Sequence, residues 1–311
     1  PQKVSTFSTA YMQGMQDNGI LACAKHFPGH GDTDSDSHET LPVIRHSRYR
    51  LNTTEITPFR HLITKGLGSV MVAHLRIPAI DATENLASSL SKKVVTNLLK
   101  KELGFQGLIF TDGLNMKGVS KYFDAGELDV KALLAGNDIL LMSTDVAKGI
   151  KLISNAYNKG EISEKRLSNS VKKILRAKAI VNLDKYLPIS SEAILEKLNT
   201  PKDTLLYSKA MESAITLVKN KDDIIQLDSD KKYLHISFGE NGNHFYNQLN
   251  RTHKIDRYDE LSYELIYEKV NYDALIITYQ GSNSSPFNSY KIPKNIVEII
   301  NKISLKNDVI L

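Results

Sequence analysis

The sequence holds no tryptophan and one cysteine among its 311 residues. A single cysteine excludes an intrachain disulfide framework. Cys23 stands inside the apolar run Ile20-Leu21-Ala22-Cys23-Ala24, where it is expected to pack as a small hydrophobe. No apolar stretch approaches the roughly 20 residues that span a bilayer, so no membrane insertion is expected. Repeats and low-complexity tracts are also missing. The formal charge of +5 is spread over many lysines without a basic block, so no nucleic-acid partner is expected. Gly239-Glu240-Asn241-Gly242 lacks both the GxGxxG fingerprint and the following acid of a dinucleotide site. No secretory signal is recognisable at Pro1-Gln2-Lys3, and the chain stops at Asp308-Val309-Ile310-Leu311. Both ends read as cuts in a longer polypeptide, which leaves further domains and a periplasmic, secreted or cytoplasmic location all open.

What the chain does contain is an alternation of helical and strand patterns. Apolar residues make up 41% and charged residues 24%, enough to fill the cores of two domains. Phe7, Tyr11, Met12 and Met15 have helical spacing over residues 5–18, and Gly19 would stop that helix. The run Ile20–Ala24 reads as a strand. Thr57-Pro58 resembles a cap followed by proline at the first helical position, with Phe59, Leu62 and Ile63 as the apolar face. Ser69–His74 is a second strand with a histidine at its carboxyl end. Ser91 caps a helix bearing Val94, Val95, Leu98, Leu99 and Leu103. Gly107–Gly113 is a third strand ending in Asp112, and Val130, Leu133 and Leu134 mark a helix closed by Gly136. Ile139–Met142 reads as a fourth strand. Helices over 145–158 and 164–181 follow, the second capped by Ser163, with an apolar stripe at Leu167, Val171, Ile174, Leu175 and Ala179 and a solvated face at Lys172, Lys173, Arg176 and Lys178.

Apolar strands with polar groups collected at their carboxyl ends indicate parallel α/β architecture. Composition changes near 182–201, giving a first domain over 1–185, a linker over 186–204 and a second domain over 205–311. In the second domain, Ala214–Val218, Tyr233–Phe238 and Ala274–Thr278 read as strands, another begins at Asp308, and Gly281–Ser285 reads as a flexible loop.

The densest chemistry lies in Lys25-His26-Phe27-Pro28-Gly29-His30-Gly31-Asp32-Thr33-Asp34-Ser35-Asp36-Ser37-His38. An aspartate at a strand end, Asp112, together with the Asp36-Ser37-His38 segment can divide acid–base work. A retaining glycosidase needs a carboxylate beneath the anomeric carbon and a proton donor close by. Histidine fills the second role when a carboxylate fixes its tautomer and supports its cation. The rival reading is a metal-dependent hydrolase built on His26, His30, His38, His74 and several aspartates. No HxH or HExxH spacing supports it.

The block Lys25–Thr33, then Asp36-Ser37-His38, then Thr111-Asp112-Gly113-Leu114-Asn115-Met116 resembles glycoside hydrolase family 3, and within it the β-N-acetylglucosaminidase branch. The similarity runs from residue 5 to about 182 and, more weakly, over 205–311, where Ala210–Asn220 resembles the lead-in to the family's second domain. The resemblance implies the second half of a (β/α)8 TIM barrel, with the strands read here as its fifth to eighth, followed by the start of an α/β sandwich. It implies a carbohydrate substrate and no cofactor or metal. By motif position, Asp112 matches the nucleophile, His38 the acid/base and Asp36 its dyad partner. Lys25, His26, His74 and Met116 match sugar-binding positions, and His30 and Asp32 loop-supporting ones. The resemblance implies exo-acting hydrolysis of N-acetyl-β-hexosaminides, peptidoglycan-derived fragments or chitin oligosaccharides, by a two-step retaining mechanism. A β-glucosidase-like member and a non-catalytic sugar-binding module are the alternatives. Gly113 departs from relatives that carry a larger or acidic residue there.

Overall fold

Short apolar runs separated by helical stretches pair as parallel strands wherever helices can cover both faces. The computed structural model describes residues 1–33, 41–186, 188, 190–221, 223–240, 242–258, 262–281 and 291–311. It divides into two units, Pro1–Ile189 and Ser190–Leu311. Among the described residues, no helix is long and apolar enough to cross a membrane.

In the first unit, β1 (Cys23–Phe27), β2 (Ser69–Val72) and β3 (Leu108–Thr111) form a parallel sheet in sequential order. Helix α1 (Gln2–Gln16) precedes β1, and α2 (Arg48–Thr53) and α3 (Ile56–Thr64) lie between β1 and β2. A helix wound in the wider π pattern, Lys93–Glu102, connects β2 to β3. After β3 come α4 (Lys117–Ser120), α5 (Glu127–Ala135), α6 (Val146–Asn158) and α7 (Glu164–Ile180). Val70, Val72 and Ile109 of the sheet are fully buried against Leu51, Ile56, Phe59 and Leu62 and, from the π-helix, Val95, Leu98 and Leu99. Each such side chain contributes roughly 1.5–3 kcal/mol on leaving water. Two of the expected caps form: Ser91 Oγ accepts from the Val94 N–H at 3.3 Å, and Ser163 accepts from Arg166 N–H.

Several expectations change here. The first strand starts at Cys23 and includes Lys25 and His26, so these two belong to the sheet itself. Cys23 is exposed, because β1 is an edge strand among the described residues. Phe7 and Tyr11 of α1 are exposed, and Met12 is the buried member of that set. Helix α3 starts ahead of Thr57, with Glu55 at the cap position; Pro58 lies in the first turn, where its missing N–H breaks no helical bond.

The fourth strand is reduced to one parallel bridge, Ile139 to Phe110. Side chains replace its remaining ladder: Asp138 Oδ2 accepts from Ile109 N–H at 3.1 Å, Thr111 Oγ1 accepts from Leu141 N–H at 2.9 Å, and Met142 turns to a φ of 51°.

The stripe expected to bury α7 faces water at Val171 and Leu175, while Ser170 is buried. Asp138 explains the reversal. Its carboxylate side chain is 1% exposed and draws in Lys173 at 3.3 Å, Arg166 at 3.7 Å and Lys100 at 4.0 Å. An unpaired buried charge costs more than exposing a few apolar side chains. Lys173, expected on a solvated face, also donates to the Gly107 carbonyl at 2.9 Å.

In the second unit, β4 (Tyr233–Gly239), β5 (Ile255–Tyr258), β6 (Ala274–Gln280) and β7 (Val309–Ile310) form a parallel sheet in the order β5-β4-β6-β7. Helices α8 (Ile194–Leu198) and α9 (Pro201–Ala214) precede it, and α10 (Asn243–Leu249), α11 (Tyr263–Tyr267) and α12 (Lys294–Ser304) connect its strands. Leu234, Ile236, Leu275 and Ile277 face Leu265, Ile300 and Ile303 on one side, while Tyr233, Ala274 and Ile276 pack on the other with Ile255. His235 shares that second face; it is fully buried, with Nε2 3.0 Å from Thr278 Oγ1.

The strand expected over Ala214–Val218 does not form. Thr200 and Asp203 make a capping box that launches α9, which runs to Ala214 and leaves Ile215, Leu217 and Val218 exposed. The expected loop over Gly281–Ser285 lies outside the described residues from 282 onward.

Candidate active site

Parallel pairing sets Val72 beside both Phe27 and Thr111, so the residues just after them emerge at one end of the sheet. Asp112 is the first residue past β3. Its N–H donates to the Val72 carbonyl at 3.0 Å, which fixes its backbone to the neighbouring strand. The Gly113 N–H donates to Asp112 Oδ1 at 2.9 Å, and Oδ2 stands 3.8 Å from His26 Nε2.

Lys25 and His26 occupy a register irregularity between Ala24 and Phe27 of β1. Such irregularities re-aim side chains at strand ends. Lys25–His26 and Phe27–Pro28 are both cis peptide bonds. Burial holds the His26 imidazole below its ordinary pKa; Asp112 opposes this, and Lys25, His30 and His74 add to it. The pair is therefore a carboxylate beside a neutral ring, with the exposed Lys25 ammonium next along the strand.

His74, two residues past β2, is fully buried. Its Nε2 is 2.9 Å from the Gly113 carbonyl and its Nδ1 is 2.7 Å from Ser89 Oγ. A carbonyl only accepts, so Nε2 carries the proton. Burial pushes the ring pKa down, so Nδ1 is bare and accepts from the Ser89 hydroxyl. His74 thus supports the peptide that follows Asp112. Asn137 Nδ2 in turn donates to the Ser89 carbonyl at 2.7 Å.

Met116 joins Asp112, Gly113, Asn115, Leu141 and Met142 around a cavity of about 470 Å³. Lys25, His26, His30 and Asp32 line a second cavity of about 1160 Å³, together with Phe7 and Tyr11. The His30 ring centroid is 6.0 Å from that of His26, and its Nδ1 is 3.2 Å from Thr33 Oγ1. Asp32 turns to a different partner set: His46 Nε2 at 2.7 Å and Arg50 at 3.8 Å. Asp36 and His38 lie outside the described residues.

Asp112, His26 and Met116 are thus gathered at the carboxyl ends of the strands, with His74 bonded to the Gly113 carbonyl, while Lys25 lines the larger cavity beside His26. The histidine set of the metal reading is not assembled among the described residues, since both His74 nitrogens are engaged. The site's surroundings also include Ser89, Asn137, His46, Arg50 and Glu55. Their partners lie up to 48 residues away, and no local spacing marks them.

A model of the glycosyl hydrolase family 3 N terminal domain matches residues 1–177. Beta-hexosaminidase A of Pseudoalteromonas piscicida is 30% identical over 258 residues, which are 76% of this chain and 42% of that protein. The beta-hexosaminidase of Nitrosospira multiformis is 37% identical over 157 residues, 50% of this chain and 44% of that protein. The chain therefore spans less than half the length of these curated relatives. The structure of a glycoside hydrolase family 3 beta-N-acetylglucosaminidase from Paenibacillus sp. str. FPU-7 superposes with a TM-score of 0.73 at 28% identity, covering 99% of this chain and 60% of that one. The fold accordingly has the alternating elements of a (β/α)8 barrel followed by an α/β sandwich.

Proposed function

We infer that this protein, which belongs to glycosyl hydrolase family 3, is a retaining exo-β-N-acetylhexosaminidase with Asp112 as its nucleophile. The observation that carries the reading is the setting of Asp112. One carboxylate oxygen is tied to a backbone N–H, and the other faces a neutral imidazole 3.8 Å away at the mouth of the strands. The names of the relatives support the choice of N-acetylhexosaminides within the family.

In the proposed cycle, Asp112 Oδ2 bonds to the anomeric carbon as the glycosidic C–O bond breaks. His38, paired with Asp36, gives its proton to the departing oxygen. Water then loses a proton to His38 and attacks the same carbon, which releases the carboxylate. Lys25 and His26 hydrogen-bond sugar hydroxyls, Met116 packs on the sugar, and His74 holds the Asp112–Gly113 peptide in place. Peptidoglycan-derived fragments are the proposed natural substrates, with chitin oligosaccharides as the comparison. In the domain scheme proposed with this activity, residues 1–185 are the second half of the TIM-barrel catalytic domain, residues 186–204 a linker and residues 205–311 part of an α/β sandwich.

The test is turnover of an aryl N-acetyl-β-glucosaminide against the matching glucoside, with mass spectrometry of a trapped fluorosugar adduct. Faster release from the N-acetylated substrate, an adduct on Asp112 and loss of turnover in Asp112→Ala are expected. Equal rates on both sugars, or an adduct elsewhere, would overturn the reading.

A further inference from the structure

We propose that Asp32, His46 and Glu55 form a binding site for a divalent transition-metal ion, zinc foremost, at the stem of the loop that leaves β1. Three separate pieces of chain supply the donors. Asp32 comes from the loop, His46 stands just before the Ser47 cap of α2, and Glu55 is the residue ahead of α3. One ligand atom from each lies within 4.8 Å of the others. A metal ion would need only small side-chain movements to draw such atoms into its coordination sphere.

Two carboxylates carry the charge that a divalent ion neutralises, and one imidazole adds a neutral nitrogen donor. That nitrogen–oxygen set suits zinc, cobalt or nickel better than magnesium or calcium. Asp32 is 60% exposed on its side chain, which leaves room for water in the remaining position.

The groups around the cluster also show a cation's place already in use. Arg50 reaches between the two acids, 3.1 Å from Glu55 Oε1 and 3.8 Å from Asp32 Oδ2. The guanidinium does not complete the site. Glu55 Oε2 is buried without a hydrogen-bond partner among the described residues, on a side chain only 10% exposed. A buried carboxylate oxygen left unpaired is costly. Glu55 cannot easily withdraw to water either, because its Cβ packs against Gly29, where an added Cβ would come within 2.6 Å. An ion of higher charge density than guanidinium would satisfy that oxygen and release Arg50, whose side chain is 45% exposed and free to swing outward.

Among the described residues, none of the three donors bonds to Asp112. The site is therefore separate from the proposed reacting carboxylate, and its occupancy would tie residue 32 to the corner between α2 and α3. The experiment uses the full chain after chelation and exchange into metal-free buffer. It is titrated with cobalt(II), whose visible absorption reports coordination, and then with zinc to displace it.

One saturable equivalent is expected, lost in His46→Ala and in Asp32→Asn, the latter an exposed change that spares the fold. Arg50→Ala should bind cobalt about two- to fivefold more tightly, the worth of a half-exposed ion pair. His38→Ala should bind as the wild type does. No saturable cobalt binding, or binding that survives both His46→Ala and Asp32→Asn, would overturn the proposal. So would binding that depends on His38 instead.

Discussion

Replacing Lys100 by methionine probes the ion cluster around Asp138. Burial, with Arg166 and Lys173 close by, lowers the Lys100 ammonium from the ordinary 10.5 to about 8 despite the attraction of Asp138. Between those values the unfolded chain binds more protons than the native one, so stability rises with pH. Below about pH 8 both states are protonated and the penalty is present in full. A gap of about 2.5 pH units, at ~1.36 kcal/mol each, amounts to roughly 3 kcal/mol. The Lys100 side chain keeps 22% of its surface in water, and screening reduces the expected effect to about 1–2 kcal/mol. Lys100→Met keeps the aliphatic stem and removes the charge. It should stabilise the first unit by about 1–2 kcal/mol near pH 7 and abolish the alkaline rise. Urea unfolding read by proteolysis of the first unit, at about pH 7, 8.5 and 10, measures both effects. A wild-type curve that stays flat across this range would refute the reasoning. So would a Lys100→Met variant that loses more than about 1 kcal/mol at neutral pH, because the pair with Asp138 would then be net stabilising.

Three further expectations follow from the geometry. Ser89→Ala strips the donor from buried His74 Nδ1; it should cost about 1–3 kcal/mol in urea unfolding and lower kcat with little change in KM. Gly239→Ala would bring a Cβ to within 2.1 Å of the Gln280 carbonyl oxygen at a φ of +85°; unfolding of the second unit should show a loss of at least ~2 kcal/mol, and a neutral result would contradict the close β4–β6 approach. His235 is held below the ordinary 6.5 by burial and by Arg257. The native state thus binds fewer protons than the unfolded one, and the second unit should lose stability as pH falls below about 6.5, with the loss reduced in His235→Gln.

The sequence was most legible where a local pattern decides the outcome. The apolar runs around Val70 and Ile109 read as buried parallel strands, and Asp112 follows one directly. Ser163 announces α7 because a cap needs only its next few residues. Distant partners were not legible. Periodicity assigned Val171 and Leu175 to the buried side of α7, yet Asp138, 35 residues before Lys173, pulled the polar side inward. Cys23 looked buried because its neighbours are apolar, whereas its exposure depends on β1 lying at a sheet edge. Ala214–Val218 has strand composition, but the capping box at Thr200 had already set a helix running into it. For the candidate site, the motif names Asp112 and His26, which the structure sets 3.8 Å apart. Ser89 and Asn137, which hold His74 and thereby Gly113, are joined to it only by the tertiary fold.

The placement of groups along β3 bears on how this protein can be altered. At its amino-terminal half, Ile109 is bonded to the Asp138 carboxylate and so to three cations; three residues later the chain delivers Asp112. At ~3.3 Å per residue, about 10 Å separates the anchor from Asp112. Asn115, Met116, Lys117, Leu141 and Met142 line the smaller cavity together with Asp112. On the proposed function, a library randomised at those five positions would reshape sugar recognition while the ion cluster keeps the strand in place. Selection for new specificity would then start from variants that still fold.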